Sequence, residues 1–264
     1  MRSRLLVVLA AVVLVAGVGV AIRPVIVSAL SPTPGTSVPA VAAVSTTPVS
    51  PSPSPSVTSS ARPTQAADCK GAKDLRTTAA EKKVPFTVCG VELISKDHRV
   101  TAAYAPKLVT VAVRAYGVPN VRLQPAAAKA LTKFFSAARA AGYTLVVRSS
   151  WRSYATQKSW YATMSHTLTA PAGASEHQSG LAVDLAGIER GRLVHGTLLG
   201  SSRTGAWALK HAAEFGFILR YPTSESKITG IAFEPWHFRY VGVEAAKGVN
   251  ATKTRTLERY LGVG

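Results

Sequence analysis

The feature that most constrains this chain is a carboxylate in the middle of an apolar strand. In LAVDLA, Leu181, Val183 and Leu185 alternate with Ala182, Asp184 and Ala186, a period of two that predicts a β-strand with Asp184 on a face of alanines. A charge there needs a partner, because burying it unpaired is prohibitively costly. Just upstream, Gly180 in SEHQSG lets the chain turn, so that His177 can come back above Asp184. A second imidazole, His237, follows much later with Glu234 three residues before it. Two imidazoles and a carboxylate, with a water, form an open catalytic zinc site, and an extra Glu can serve as base on that water. A buried Asp–His pair would satisfy the same carboxylate structurally, and spacing alone leaves both readings open.

Only part of the 264 residues can build the core around that strand. Leu5 to Ile22 is an uninterrupted apolar run flanked by Arg2, Arg4 and Arg23. At roughly 1.5 Å per residue it spans about 27 Å, close to the hydrocarbon thickness of a bilayer. Its basic end belongs in the cytoplasm, and residues 1–30 read as an uncleaved membrane anchor or, with VSA before Leu30 as a cut site, a cleaved signal. Either way the remainder is exported. Residues 31–66 are rich in Pro, Ser, Thr, Ala and Val, with Arg62 their only charge. They cannot bury a core and read as an extended, disordered spacer. Residues 67–90 form a short extension holding the chain's two cysteines, Cys69 and Cys89. In an exported chain these are expected to form a disulfide, stabilising by roughly 3 kcal/mol in the chain-entropy model.

The folded domain is expected over 91–264. Gln124–Ala141 carries apolar residues at helical spacing, Pro125 near its start and Gly142 just past its end, and predicts a helix. Residues 143–150 predict a strand, 154–166 and 205–215 helices, and 230–242 a further strand made irregular by Pro235. Strands and helices mix without regular βαβ alternation, which predicts an α+β fold. Net charge is +18, and setting aside the four arginines of residues 1–66 leaves 27 basic against 13 acidic residues, or +14. For an exported domain this favours an anionic cell envelope as partner. No basic motif interleaved with aromatics points to nucleic acid.

The segment Ser175–Asp184 resembles the SxHxxGxAxD pattern of the LAS metallopeptidases, and EPWH at 234–237 resembles that group's ExxH motif. Within the group the chain is similar to VanY-type D-alanyl-D-alanine carboxypeptidases, as ISKDHRVTAAYAPKLV, RSSWRSYATQ, GFILRYP and ITGIAFEPWHFRYVG also indicate. The resemblance runs from about Val91 to Val249 and implies a single domain with a central antiparallel sheet and flanking helices. It implies one zinc ion held by His177, Asp184 and His237, with Glu234 as general base and Arg152 steadying the oxyanion. By the same resemblance Gln157 and Ser175 contact the end of the peptide, and Trp236 walls the site. His98, His166, His195 and His211 fall outside the motifs. The implied activity is removal of the terminal D-alanine from peptidoglycan stem peptides, and the chain is expected to be a monomer. The same machinery could serve a D,D-dipeptidase or a peptidoglycan endopeptidase. A non-catalytic wall-binding module that keeps zinc would have no need of Glu234 beside the metal.

Overall fold

The computed structural model describes residues 84–263. The apolar run 5–22, the spacer and Cys69 lie outside the described residues. Among those described, no helix is long and apolar enough to cross a membrane.

A hairpin opens the domain: β1 (Phe86–Val88) pairs with β2 (Val91–Leu93) across Cys89 and Gly90, both at positive φ. Cys89 is disulfide-bonded. The boundary expected between residues 90 and 91 therefore falls at the tip of a hairpin, whose first strand is buried with the second. A second antiparallel pair, β3 (Val109–Val111) with β4 (Val121–Leu123), leads into helix α1 (Pro125–Ala140). Pro125 begins this helix where its missing N–H costs nothing, and Gly142, at φ 80°, turns the chain out of it. Then come β5 (Thr144–Ser149), α2 (Tyr154–Thr163), a 3-10 turn at Glu176–Ser179, β6 (Ala182–Glu189) and β7 (Arg192–Val194). Helices α3 (Thr197–Gly200) and α4 (Arg203–His211) precede β8 (Phe217–Leu219), α5 (Ser226–Thr229) and β9 (His237–Tyr240). The chain closes with α6 (Val243–Ala251) and α7 (Leu257–Leu261).

The fold is α+β, with a central antiparallel sheet in the order β5-β6-β9-β8 and β7 paired to the far end of β6. Leu181, Val183 and Leu185 face the main core with Leu131 and Phe134 of α1, Phe217 and Phe238. A second cluster joins Phe86, Val88, Val91 and Leu93 to Ile218 and to Ala246, Val249, Leu257 and Leu261 of the last two helices.

Three elements differ from expectation at their ends. Helix α4 starts two residues early because the Ser202 hydroxyl accepts from Gly205 N–H, and residues 212–215 tighten into a 3-10 turn. Helix α2 stops at Thr163, three residues early, and His166 beyond it stacks on Tyr161. Of the irregular segment 230–242 only His237–Tyr240 is strand, with Glu234 and Pro235 in the turn before it.

Candidate metal centre and active site

Three local devices bring the ionisable groups together. The first is sheet register: Asp184 of β6 lies directly opposite His237 of β9, so their side chains leave the same face about 5 Å apart. The second is the 3-10 turn, which ends at Gly180 with φ 69°. A Cβ there would strike Leu108 and sit 3.3 Å from the Gln124 nitrogen. The reversal hangs His177 over the strand. The third is a register shift between Val147 and Ser149, which turns the end of β5 toward the site, as bulges beside active sites do. Arg152 N–H then bonds to the His177 carbonyl, stitching this loop to the turn.

The resulting geometry is tight. His177 Nε2 and His237 Nδ1 each stand 3.3 Å from Asp184 Oδ1. One donor atom from each of the three residues falls within 4.8 Å of the others. His177 donates through Nδ1 to the Ser150 carbonyl at 2.7 Å, which assigns its Nε2 lone pair to the site. Asp184 Oδ1 is buried with no hydrogen-bond donor among the described residues. Burial opposes charge on that carboxyl, but the two imidazoles hold it well below the usual carboxylate range. Two ring nitrogens aimed at an unpartnered carboxylate oxygen suit a cation. Donors at about 2.0 Å from one tetrahedral zinc ion lie about 3.3 Å apart, the separation seen here on both sides of Asp184. The residues fit the metal.

Glu234 closes one side, with Oε2 3.5 Å from His237 Nδ1. It is buried, and burial, partly offset by His237, pushes its carboxyl up to about 7. Arg152, Ser175, Tyr221 and Trp236 line the same cavity of about 170 Å³, together with Trp160, Met164 and Leu168 at its apolar mouth. Tyr221 and His237 hold their rings 4.8 Å apart.

Gln157 stands elsewhere than the resemblance implied. It is fully buried and does not line the cavity. Its Oε1 accepts from Arg152 Nε at 2.6 Å and its amide donates to the Ala170 carbonyl. In this position it braces the arginine. Ser175 does reach the cavity, yet its hydroxyl accepts from Arg152 Nη2 at 3.3 Å. With Ser149 at 3.2 Å and the Trp160 ring 4.2 Å beneath it, the guanidinium is held on every side.

Sequence reasoning passed over Glu176, Arg220, Arg239 and Glu258. All four are buried in one ion cluster beneath His237. The signal was available in GFILRYP and HFRYV, where an arginine stands among apolar residues as Asp184 does.

Comparison with known proteins bears on this arrangement. A family model described as VanY, D-alanyl-D-alanine carboxypeptidase, matches residues 120–243. YodJ of Bacillus subtilis, named as a carboxypeptidase, is 33% identical over 180 residues, 64% of this chain and 65% of its own. The chain spans less than two thirds of the length of the curated relatives it matches. Among solved structures, the LdcB LD-carboxypeptidase, described for its peptidoglycan recognition, superposes with a TM-score of 0.58 at 31% identity. That match covers 70% of this chain and 98% of the other. The vancomycin-resistance D,D-pentapeptidase VanY from the VanB-type cassette, solved with Zn(II), gives 0.53 at 30% identity, covering 64% and 97%.

Proposed function

The chain belongs to the VanY family of D-alanyl-D-alanine carboxypeptidases, and on that premise we propose that it is a zinc-dependent carboxypeptidase. Its substrate is the peptidoglycan stem peptide, from which it removes the terminal D-alanine. The observation that carries the proposal is the convergence of His177 Nε2, Asp184 Oδ1 and His237 Nδ1 beside a buried Glu234.

Zinc, which His177, Asp184 and His237 would hold, would lower the pKa of a bound water toward about 7 and polarise a carbonyl. Glu234, raised toward neutrality by burial, takes the proton of the attacking water and returns it to the leaving amine. Arg152, held by Gln157, Ser149 and Ser175, faces the oxygen on which negative charge develops. Trp236 and Tyr221 shape the walls against which the peptide end rests. In the same proposal the run Leu5–Ile22 exports the chain and, uncleaved, anchors it outside the membrane. The spacer carries a positively charged monomer into the anionic wall. The apolar length of Leu5–Ile22 and its flanking arginines support that placement.

The likeness to LdcB favours a second cut by the same machinery, at the L,D bond left once the terminal D-alanine is gone. Mass spectrometry decides between the two. A stem peptide ending in D-Ala-D-Ala should lose one alanine, whereas an L,D-enzyme acts only on the shortened peptide. The Glu234→Ala variant should keep its zinc and lose about 10²-fold or more of kcat, the scale of a positioned proton carrier. Wild-type turnover in that variant would remove the base from the scheme.

A further inference from the structure

The chemistry above makes no use of the carboxylate of Glu176, although it is fully buried. Its Oε1 accepts from Arg220 Nε at 2.7 Å and from Arg239 Nη1 at 2.8 Å. Its Oε2 takes no hydrogen bond among the described residues and faces His237 Nε2, itself unpartnered, at 3.5 Å. Arg220 is gripped from the other side by both oxygens of Glu258, at 2.9 and 2.6 Å. Arg239 also donates through Nε to the Tyr240 carbonyl and through Nη2 to the Glu92 carbonyl. Two guanidiniums and two carboxylates cancel in a cluster nearly closed to water.

We propose that Glu176 is the positioning residue for His237, and that Glu258 of α7, acting through Arg220, holds it there. The last helix of the chain, which lies beyond the family-matched residues 120–243, is thereby wired into the metal centre. The inference rests on the zinc reading of the preceding subsection.

The chemistry is a matter of donors and acceptors. To offer Nδ1 to a cation, His237 must carry its proton on Nε2, and a buried N–H without an acceptor is costly. Glu176 Oε2 is the acceptor. It must be a carboxylate, because both of its ends face donors: two guanidiniums on one side, an imidazole N–H on the other. A glutamine would set its NH₂ against one of them in either orientation. Glu258 matters because without it Arg220 loses two acceptors and the buried cluster carries a net positive charge. Glu176 would then be the sole anion for both arginines and would be drawn off the ring. Helix α7 is fixed for this task by Thr256, whose hydroxyl caps it at Arg259 N–H, and by Leu257 and Leu261 in the second core cluster.

The test measures zinc affinity of the full chain by competition with a chromogenic chelator. Glu176→Gln and Glu258→Gln are compared with Glu244→Gln, which removes only an exposed pair with Lys247. The first two should bind zinc about 10- to 100-fold more weakly, the range for loss of a group supporting a ligand, with circular dichroism unchanged. The surface variant should match wild type. In zinc-loaded, ¹⁵N-histidine-labelled wild type, His237 should show a protonated, slowly exchanging Nε2 and a metal-bound Nδ1. That measurement needs no variant to fold. An unprotonated His237 Nε2, or zinc affinity within twofold of wild type in both buried variants, overturns the inference while leaving the carboxypeptidase reading intact. A wild-type chain that takes up no zinc overturns the reading beneath it as well.

Discussion

Replacing Gln157 by leucine tests whether that residue meets substrate or braces Arg152. The substitution nearly preserves volume at a fully buried position and removes two polar contacts, the 2.6 Å bond from Arg152 Nε and the bond to the Ala170 carbonyl. A hydrogen bond to a charged group contributes about 1.5–3 kcal/mol. Arg152 keeps Ser149, Ser175 and the Trp160 face, so it stays in the cavity but loses its aim. If the whole of that energy is expressed on the developing oxyanion, kcat falls by about 10- to 150-fold. KM should change little, because the amide never reaches the cavity. Steady-state kinetics on a D-Ala-D-Ala peptide, with zinc content checked in parallel, separates the two parameters. A rise in KM with kcat intact would mean that Gln157 touches the peptide, and the bracing argument would be wrong.

Three further outcomes follow from the geometry. Phe134→Ala should cost about 3–5 kcal/mol in urea unfolding, since the ring is fully buried among Trp207, Phe215, Phe217 and Phe238; a loss under about 1 kcal/mol would show that the core closes around the gap. Gly180→Ala forces a side chain into positive φ and against Leu108, so it should lower the melting temperature and weaken zinc binding, read by calorimetry and chelator competition. The third concerns pH in the chelator-stripped protein. Burial opposes charge on His237, but the carboxylates of Asp184 and Glu176 facing its two ring nitrogens raise its pKa to about 9 from an ordinary 6.5. A raised imidazole contributes stability that is complete below 6.5 and lost as pH climbs through 9. The urea midpoint of metal-free protein should therefore fall between about pH 7.5 and 9.5, and His237→Gln should flatten that slope.

What the sequence disclosed and what it hid divide along contact distance. The His177–Gly180–Asp184 turn is local: a glycine, an alternation and a stranded carboxylate suffice to foresee that imidazole and acid meet. His237 needed a resemblance, since nothing in spacing says that β9 lies beside β6. The helix at 125–140 was legible because proline, alanines and a following glycine agree. Glu176 was not, because its partners Arg220 and Arg239 stand 44 and 63 residues away. Its neighbours in SEHQS look like turn residues. Gln157 was ambiguous for a related reason: an amide on a helix near the site satisfies a ligand or a neighbouring arginine equally well, and its burial against Arg152 could not be read from spacing.

The opposition of Asp184 and His237 across two strands has a consequence for how the protein matures. A slip of one residue between those strands would turn Asp184 into the apolar interior and leave the cation with too few donors. The ion can thus be gripped only by a correctly threaded sheet, and mass action then deepens that one basin and no misaligned competitor. Metal uptake would thereby double as proofreading of the sheet's own register.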